Sequence, residues 1–559
     1  MKAEQKQQKG NPPDLAGVPV AVILIVLFLI PLCVTLGEAF TDGQGHFALS
    51  TLEKTLTDPT TWSVLVFTLK QALLSTLASL AIGLPGAYIL ANYRFKGKQI
   101  VKAISTVPFV LPSILVVLGF VIFYGNNGVL NRVLMALFHR NQPVFHFLYS
   151  LGAIVLAHAF YNSPIIMNLV STYWEQMDCH PEQAALTLGA SRKNVFRTIT
   201  LPSLLPSILS ACTLVFLFCY NSFAIILVLG GGPACTTMET EIYRKARMSL
   251  DGPAAASLAL LSMLITIVLL IFYIVLQRRL KRHEDFNNRR YGSRPSSVQS
   301  KTLIAIYAVL AAIFVLGPIC SVVVRSFTTA PSRTAPMQWS LKWYRQLFGL
   351  SSGKDTMNIA WTALKNSLFI ALSVALISIP ACLSLASAAK RKGWLASSLE
   401  MLGMLPMAVS SVIIGLGYYF LASRIQTRGY VLVVLAHLVI AIPFALRSVI
   451  PEARKIPWMY VAAARTLGAN RATVFRTIEV PLLKNSLITG AMFVFALSLG
   501  ELNATLTLSD SSIATLPIVM YQLIGSYNYQ GACALGTVLI ISSLLVFLIS
   551  EALKGKEHG

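Results

Sequence analysis

Charge is scarce in this chain. Charged residues make up 12% of its 559 residues, against 55% hydrophobic, whereas a typical soluble domain carries roughly 25% charged. Mean hydropathy is +0.68. That balance excludes an ordinary water-soluble fold and points to an integral membrane protein. Acids are scarcer still, 22 against 45 bases, leaving a net charge of +23. On a soluble protein such an excess points to nucleic acid. Here the bases cluster between apolar runs, so they read as topology signals and no nucleic-acid partner is expected. Paired cysteines are missing as well. Cys33, Cys179, Cys212, Cys219, Cys235, Cys320, Cys382 and Cys533 contain no CxxC, and most lie inside apolar runs. Neither a disulfide framework nor a metal site is expected. HExxH, paired catalytic acids and a Ser/His/Asp arrangement at suggestive spacing are also lacking, which argues against a membrane-embedded enzyme.

What is present is a series of long apolar runs. They cover 18–36, 64–91, 104–123, 147–170, 204–229 and 254–276, then 303–324, 364–388, 400–421, 431–450, 485–508 and 532–553. About 20 residues cross a bilayer core of ~30 Å, so these are about twelve spans. The first run lacks a clear cleavage site and reads as a membrane anchor. The predicted fold class is an all-α polytopic membrane protein.

Lysine and arginine orient it. With the N-terminus inside, the inner loops hold Arg94-Phe95-Lys96-Gly97-Lys98, Arg192-Lys193, Lys390-Arg391-Lys392, Arg454-Lys455 and Lys554. Arg244, Lys245 and Arg247 are exceptions on the outer side. Both termini are therefore expected in the cytoplasm. The segment 277–302 is basic and has no apolar periodicity, so it reads as a cytoplasmic linker.

The two halves repeat. Leu156-Ala157-His158 with Pro164 returns 279 residues later as Leu435-Ala436-His437 with Pro443. Leu69-Lys70 with Pro85 returns 295 residues later as Leu364-Lys365 with Pro380, and Pro31 and Cys33 match Pro318 and Cys320. An even number of spans in each half makes the repeats parallel. The expected division is a first half 1–276, the linker, and a second half 303–559, with a site between the halves.

The loop after the fourth span of each half carries most information. Loop 171–203 contains Glu182-Gln183-Ala184-Ala185-Leu186-Thr187-Leu188-Gly189, then Arg192, Phe196, Ile199 and Pro202. Loop 451–483 contains Ala462-Ala463-Ala464-Arg465-Thr466-Leu467-Gly468, then Arg471, Phe475, Ile478 and Pro481. Most positions are identical at the offset of 279, in segments too polar to resemble each other by greasiness alone. Alanine favours helix up to Leu188. Gly189 and Gly468 stand where a left-handed cap ends one. A second short helix with Val195, Phe196 and Ile199 on one face follows, and the prolines mark a turn into the next span. Each loop is thus expected to form a helix–turn–helix knob suited to a partner's groove. A helix lying on the membrane surface is the alternative.

These loops resemble the EAA motif of binding-protein-dependent ABC importer permeases, and the stretches 218–243 and 498–527 resemble those of the fused two-half permeases for thiamine and ferric iron. Gly189, Ile199, Leu201 and Pro202 match the first copy; Gly468, Ile478 and Pro481 match the second, with Val480 in place of leucine. Gln183 and Ala462 stand at the acidic position, and Glu182 lies one place early. The resemblance implies two parallel six-helix repeats in a bacterial inner membrane, each with a coupling loop. It implies two copies of a separate ATPase subunit, an external solute-binding protein and a small-molecule solute. ATP and magnesium would bind the ATPase: Gly230-Gly231-Gly232-Pro233 is glycine-rich but lacks the lysine of a phosphate-binding loop, so this chain is expected to carry no cofactor and to be a transport subunit rather than an enzyme.

The solute remains open between readings. The stretch from Gly230 to Ile242-Tyr243 and the Tyr521-Gln522-Leu523-Ile524-Gly525-Ser526-Tyr527 ending lean towards thiamine. Ferric iron is the alternative, with polyamines and other solutes behind it. Tyr220, Asn221, Ser222, Glu501 and Asn503 are candidates for the translocation path. Glu501 would steady a cationic solute or, in the favoured structural reading, hydrogen-bond across the bundle to Asn503 or Asn221. Tyr220 could stack on a thiazolium ring. His158 and His437 read as packing residues. A twelve-span secondary transporter is the competing class; it would want an intramembrane ion relay and no paired loops.

Overall fold

The computed structural model describes residues 17–42, 46–281, 297–329, 337–350, 359–389, 394–425, 429–508 and 513–554. Lys390-Arg391-Lys392 and residues 282–296 of the basic linker lie outside the described residues. Among the described residues regular structure is helical, apart from two isolated antiparallel bridges, Thr41 with Phe47 and Thr328 with Trp339. Among the described residues, 11 helices are long and apolar enough to cross a bilayer, or 12 if the bent pair Ser397–Ala408 and Ser411–Ile425 is one span. The all-helical, multi-span class expected from the apolar runs is what the chain adopts.

The third expected span of each half is interrupted, at residues 111–112 and 409–410, and the fifth is broken at matching places as well. The run 204–229 divides into Leu201–Tyr220 and Ala224–Leu229. The run 485–508 divides into Val480–Gly500 and Asn503–Leu508. Polar side chains stand at both fifth-span breaks, Asn221-Ser222 and Glu501 with Asn503. Such groups compete with the helix for backbone partners, and within a membrane each freed N–H and C=O must find one. Glu501 supplies one directly: its Oε1 accepts the Ala504 N–H at 2.9 Å.

After each break the chain returns beside the bundle. Met238 N–H donates to Thr68 Oγ1 at 3.0 Å, and Leu516 N–H donates to Ser367 Oγ at 2.8 Å. Side-chain hydroxyls on the second span of each half therefore cap the returning backbone.

The chain packs as two compact units that cut across chain order. One contains the described parts of Met1–Leu52, Ile242–Ala259 and Ser326–Gly559. Inside it, helix Gly17–Glu38 lies on Ser411–Ile425. Tyr418 Oη donates to the Leu27 carbonyl at 2.8 Å, and a Cβ on Gly417 would sit 2.6 Å from the Pro31 carbonyl oxygen. The other unit contains Glu53–Glu241 and Leu260–Arg325. Inside it, Tyr307 Oη donates to the Ile82 carbonyl at 3.3 Å, and a Cβ on Gly119 would sit 3.0 Å from Pro318 Cβ. Pro31 and Pro318, matched in the repeat, thus each press on a glycine from the opposite half of the sequence. The missing side chain lets the helices approach closely.

Candidate functional site

The two repeated loops form two closely similar knobs. In the first, helix His180–Thr187 ends at Leu188, and Gly189 follows with φ +87°. Ala190 N–H reaches the Ala185 carbonyl at 3.0 Å and Gly189 N–H the Leu186 carbonyl at 3.1 Å. In the second, helix Trp458–Thr466 ends at Leu467, and Gly468 has φ +83°. Ala469 N–H reaches the Ala464 carbonyl and Gly468 N–H the Arg465 carbonyl, both at 3.0 Å. Both knobs therefore close with a Schellman motif, which satisfies carbonyls left over at a helix end. A Cβ at either glycine would meet nothing within 4 Å. The positive φ, not lack of room, selects glycine there.

The second legs are also alike. Ser191 Oγ accepts the Asn194 N–H at 3.3 Å, and Asn470 Oδ1 accepts the Thr473 N–H at 2.8 Å. Helices Arg192–Val195 and Arg471–Val474 follow; the side chain of Arg471 lies outside the described residues. The expected turn at the prolines is absent. Each leg runs through a π-helical turn, Phe196–Thr200 or Phe475–Glu479, straight into the next span. A proline inside a helix lacks its N–H and clashes with the carbonyl four residues back. The wider turn just before Pro202 and Pro481 relieves both problems without ending the helix.

The expected apolar face is partly used for rooting. Val195 and Val474 are buried, and Ile199 and Ile478 are half-buried. Phe196 packs near Trp174, ring centroids 6.2 Å apart. Ala184, Ala463 and Arg192 are exposed, while Ala185 and Ala464 are half-buried. The apolar tips are instead Leu188 and Leu467, each 88% exposed. Sequence reasoning passed over them because a leucine before a cap glycine reads as an ordinary helix residue. Only the Schellman turn swings it outward.

The displaced acid also has a place. Glu182 is buried, and its Oε1 accepts the Thr200 hydroxyl at 2.5 Å, joining the two legs of the first knob. In front of the knob, Asp178 accepts from the His180 backbone N–H at 3.0 Å and faces the ring Nδ1 at 2.6 Å. These bonds hold its carboxyl below the usual carboxylate range.

The candidate path residues fall into two separate sets. Glu501 accepts the Ala504 N–H at 2.9 Å and also bonds the Ser411 side chain on a neighbouring helix, and Asn503 Nδ2 donates to Ser411 Oγ at 3.0 Å, so the two expected partners meet at Ser411 rather than at Asn221. In the other unit, Tyr220 is fully buried and Asn221 Oδ1 accepts from Thr266 Oγ1 at 3.4 Å, while Ser222 is half-buried. Two residues missed in the sequence join this second set. Glu239 is fully buried, and Ser262 Oγ donates to its Oε1 at 3.3 Å. The acid lies between two apolar runs, where it looks like part of a solvated loop. Only the returning backbone carries it inward.

The matched histidines differ in their bonding. His437 faces Ser498 Oγ at 2.9 Å through Nδ1 and Thr505 Oγ1 at 2.7 Å through Nε2. His158 faces Ser75 Oγ at 3.0 Å through Nδ1, but its Nε2 is buried without a partner. The residue at the Thr505 position of the first half is Ile226, which cannot bond. Among the described residues no three His, Cys, Asp or Glu side chains come together as a metal site.

A family described as binding-protein-dependent transport system inner membrane component matches residues 83–282 and 378–555. The thiamine transport system permease protein ThiP of Brucella abortus is 28% identical over 95% of this chain and 95% of that protein. ThiP of Escherichia coli is 28% identical over 89% of this chain and 90% of its own length. A shorter relative, the putative 2-aminoethylphosphonate transport system permease protein PhnU of Salmonella typhimurium, is 28% identical over 45% of this chain and 88% of its own.

Proposed function

Because the chain belongs to the binding-protein-dependent transport system inner membrane component family, with one match in each half, we propose that it is the fused permease of a thiamine importer. It is a transport subunit, not an enzyme; ATP and magnesium belong to the partner ATPase. Family membership also removes the secondary-transporter reading. The family implies an ATPase and a binding protein as partners. Two ATPase copies are proposed here, one for each knob, with both knobs and both termini in the cytoplasm and the permease halves at 1–276 and 303–559.

The observation that carries the coupling role is the repeated tip. Two knobs with the same glycine cap each expose a leucine at 88%, and a pair of similar sockets on a symmetric partner would receive them. Ala184, Ala185, Gly189, Arg192, Phe196, Ile199 and Pro202 shape the first knob, and Ala463, Ala464, Gly468, Arg471, Phe475, Ile478 and Pro481 the second. Thiamine as solute is supported by full-length relatives bearing that name and by buried acidic and aromatic groups suited to a cation.

The test is ATP-dependent uptake in vesicles holding this chain, its ATPase and its binding protein. Thiamine uptake that requires ATP and the binding protein is expected. Uptake of ferric iron without thiamine keeps the importer and replaces the solute. Uptake driven by an ion gradient with no ATPase overturns the importer.

A further inference from the structure

Glu239 is the most deeply withdrawn acid among the groups described above, at 0% exposure. It stands at the start of the short returning helix Met238–Tyr243, beside the apolar helix Gly252–Lys281. Ser262, its partner at 3.3 Å, is ten residues into that helix, about 15 Å along it at 1.5 Å per residue. A carboxylate inside an apolar bundle is costly and marks a functional site by default.

Three further groups complete a polar stripe. Ser262 and Thr266 are four residues apart and share one helix face. Thr266 reaches Asn221 at 3.4 Å. Tyr220, fully buried, sets its hydroxyl beside Ser262 and Glu239, yet that hydroxyl has no hydrogen-bond partner. Buried hydroxyls are nearly always paired, so an orphaned one needs an explanation. Phenol, carboxyl and hydroxyls together offer an aromatic face for a cation, an acidic acceptor and a donor. The carboxylate repels an anion.

We propose that Glu239, Tyr220 and Ser262 form a recognition site for an organic cation carrying a hydrogen-bonding group, and that Glu239 sets the charge selectivity of transport. This rests on the thiamine reading above and deepens it. The carboxylate balances the positive ring, the Tyr220 hydroxyl bonds the solute's polar group, and Ser262 holds the carboxylate in place. The site is closed to solvent here, so the returning segment must shift before a solute enters. Its turn runs through Gly231 and Gly232, with φ +70° and +127°, where the chain bends at little cost.

The experiment measures thiamine uptake by vesicles holding the full complex, comparing wild type, Glu239→Gln, Glu239→Asp and Tyr220→Phe. Assembly is checked by retention of the ATPase on size-exclusion chromatography. Glu239→Gln should raise KM for thiamine at least tenfold, with Glu239→Asp in between. In direct binding to the permease–ATPase complex without the binding protein, wild type should prefer charged thiamine to uncharged thiochrome, and Glu239→Gln should erase that preference, which mere loosening of the fold would leave intact. Tyr220→Phe, lacking only one oxygen, should raise KM about threefold, and it decides the matter if the glutamine variant fails to assemble. Wild-type thiamine uptake with unchanged KM in the variants overturns this site alone. No thiamine uptake by wild type overturns both the site and the thiamine reading.

Discussion

The first and second knobs share a frame and differ in what they hang on it. Cap glycines, N-cap side chains, π turns and prolines coincide. Leading residues do not: Cys179-His180-Pro181 in one stands where Trp458-Met459-Tyr460 stands in the other, and the latter three are 43%, 59% and 51% exposed. The internal tie differs too. Glu182 meets Thr200 in the first knob, whereas the second has Val461 and Glu479 at those places, so the acid has changed legs. The lesson is that backbone geometry is repeated because few residues can provide it. A left-handed cap needs glycine or a close substitute, whereas a contact between two legs can be made in several ways.

The comparison can be broken first at the tips. Leu188→Asp together with Leu467→Asp should abolish retention of the ATPase during purification. Burying one leucine contributes about 1.5–3 kcal/mol, so each single variant should weaken binding roughly ten- to a hundredfold, read by titrating ATPase onto the permease. A silent single variant would show that only one knob docks.

Smaller effects come from the caps. Gly189→Ala and Gly468→Ala should each cost about 1–2 kcal/mol, the penalty for a β-carbon in the left-handed region. Space is open around both glycines, so asparagine, which tolerates that region, should recover much of the loss. Thermal unfolding and binding-protein-stimulated ATP hydrolysis by the assembled complex check this. Equal losses from alanine and asparagine would mean that something other than backbone conformation selects glycine.

The smallest effect sharpens the difference between the ties. Thr200→Val should loosen the first knob by about 1–3 kcal/mol, because a buried carboxylate loses a donor. Amide exchange at 180–187 should then quicken while 458–466 stays unchanged. Glu182→Val with Thr200→Glu transplants the second pattern and should restore slow exchange. If it does not, the second knob is held by contacts outside its two legs.

Much of this was legible beforehand. Apolar runs gave the span count because a bilayer demands length and hydrophobicity alone. Repeated Gly189 and Gly468 revealed the knobs, since glycine at a helix end has one main physical use. Leu188, Leu467 and Glu239 were not legible. Two leucines look like core residues until the turn at the cap is known, and Glu239 looks solvated until the returning strand of backbone is traced to Thr68.

By itself, then, the sequence determined class, repeat, loop frame and family, because these depend on composition, periodicity and residues with unusual backbone freedom. Tertiary structure alone decided that Pro31 packs on Gly417 and Pro318 on Gly119, that the fifth span of each half breaks, and that an acid between two spans lies buried beside Ser262. Those outcomes depend on which distant side chains meet, and the free energy of a buried contact is set by both partners at once.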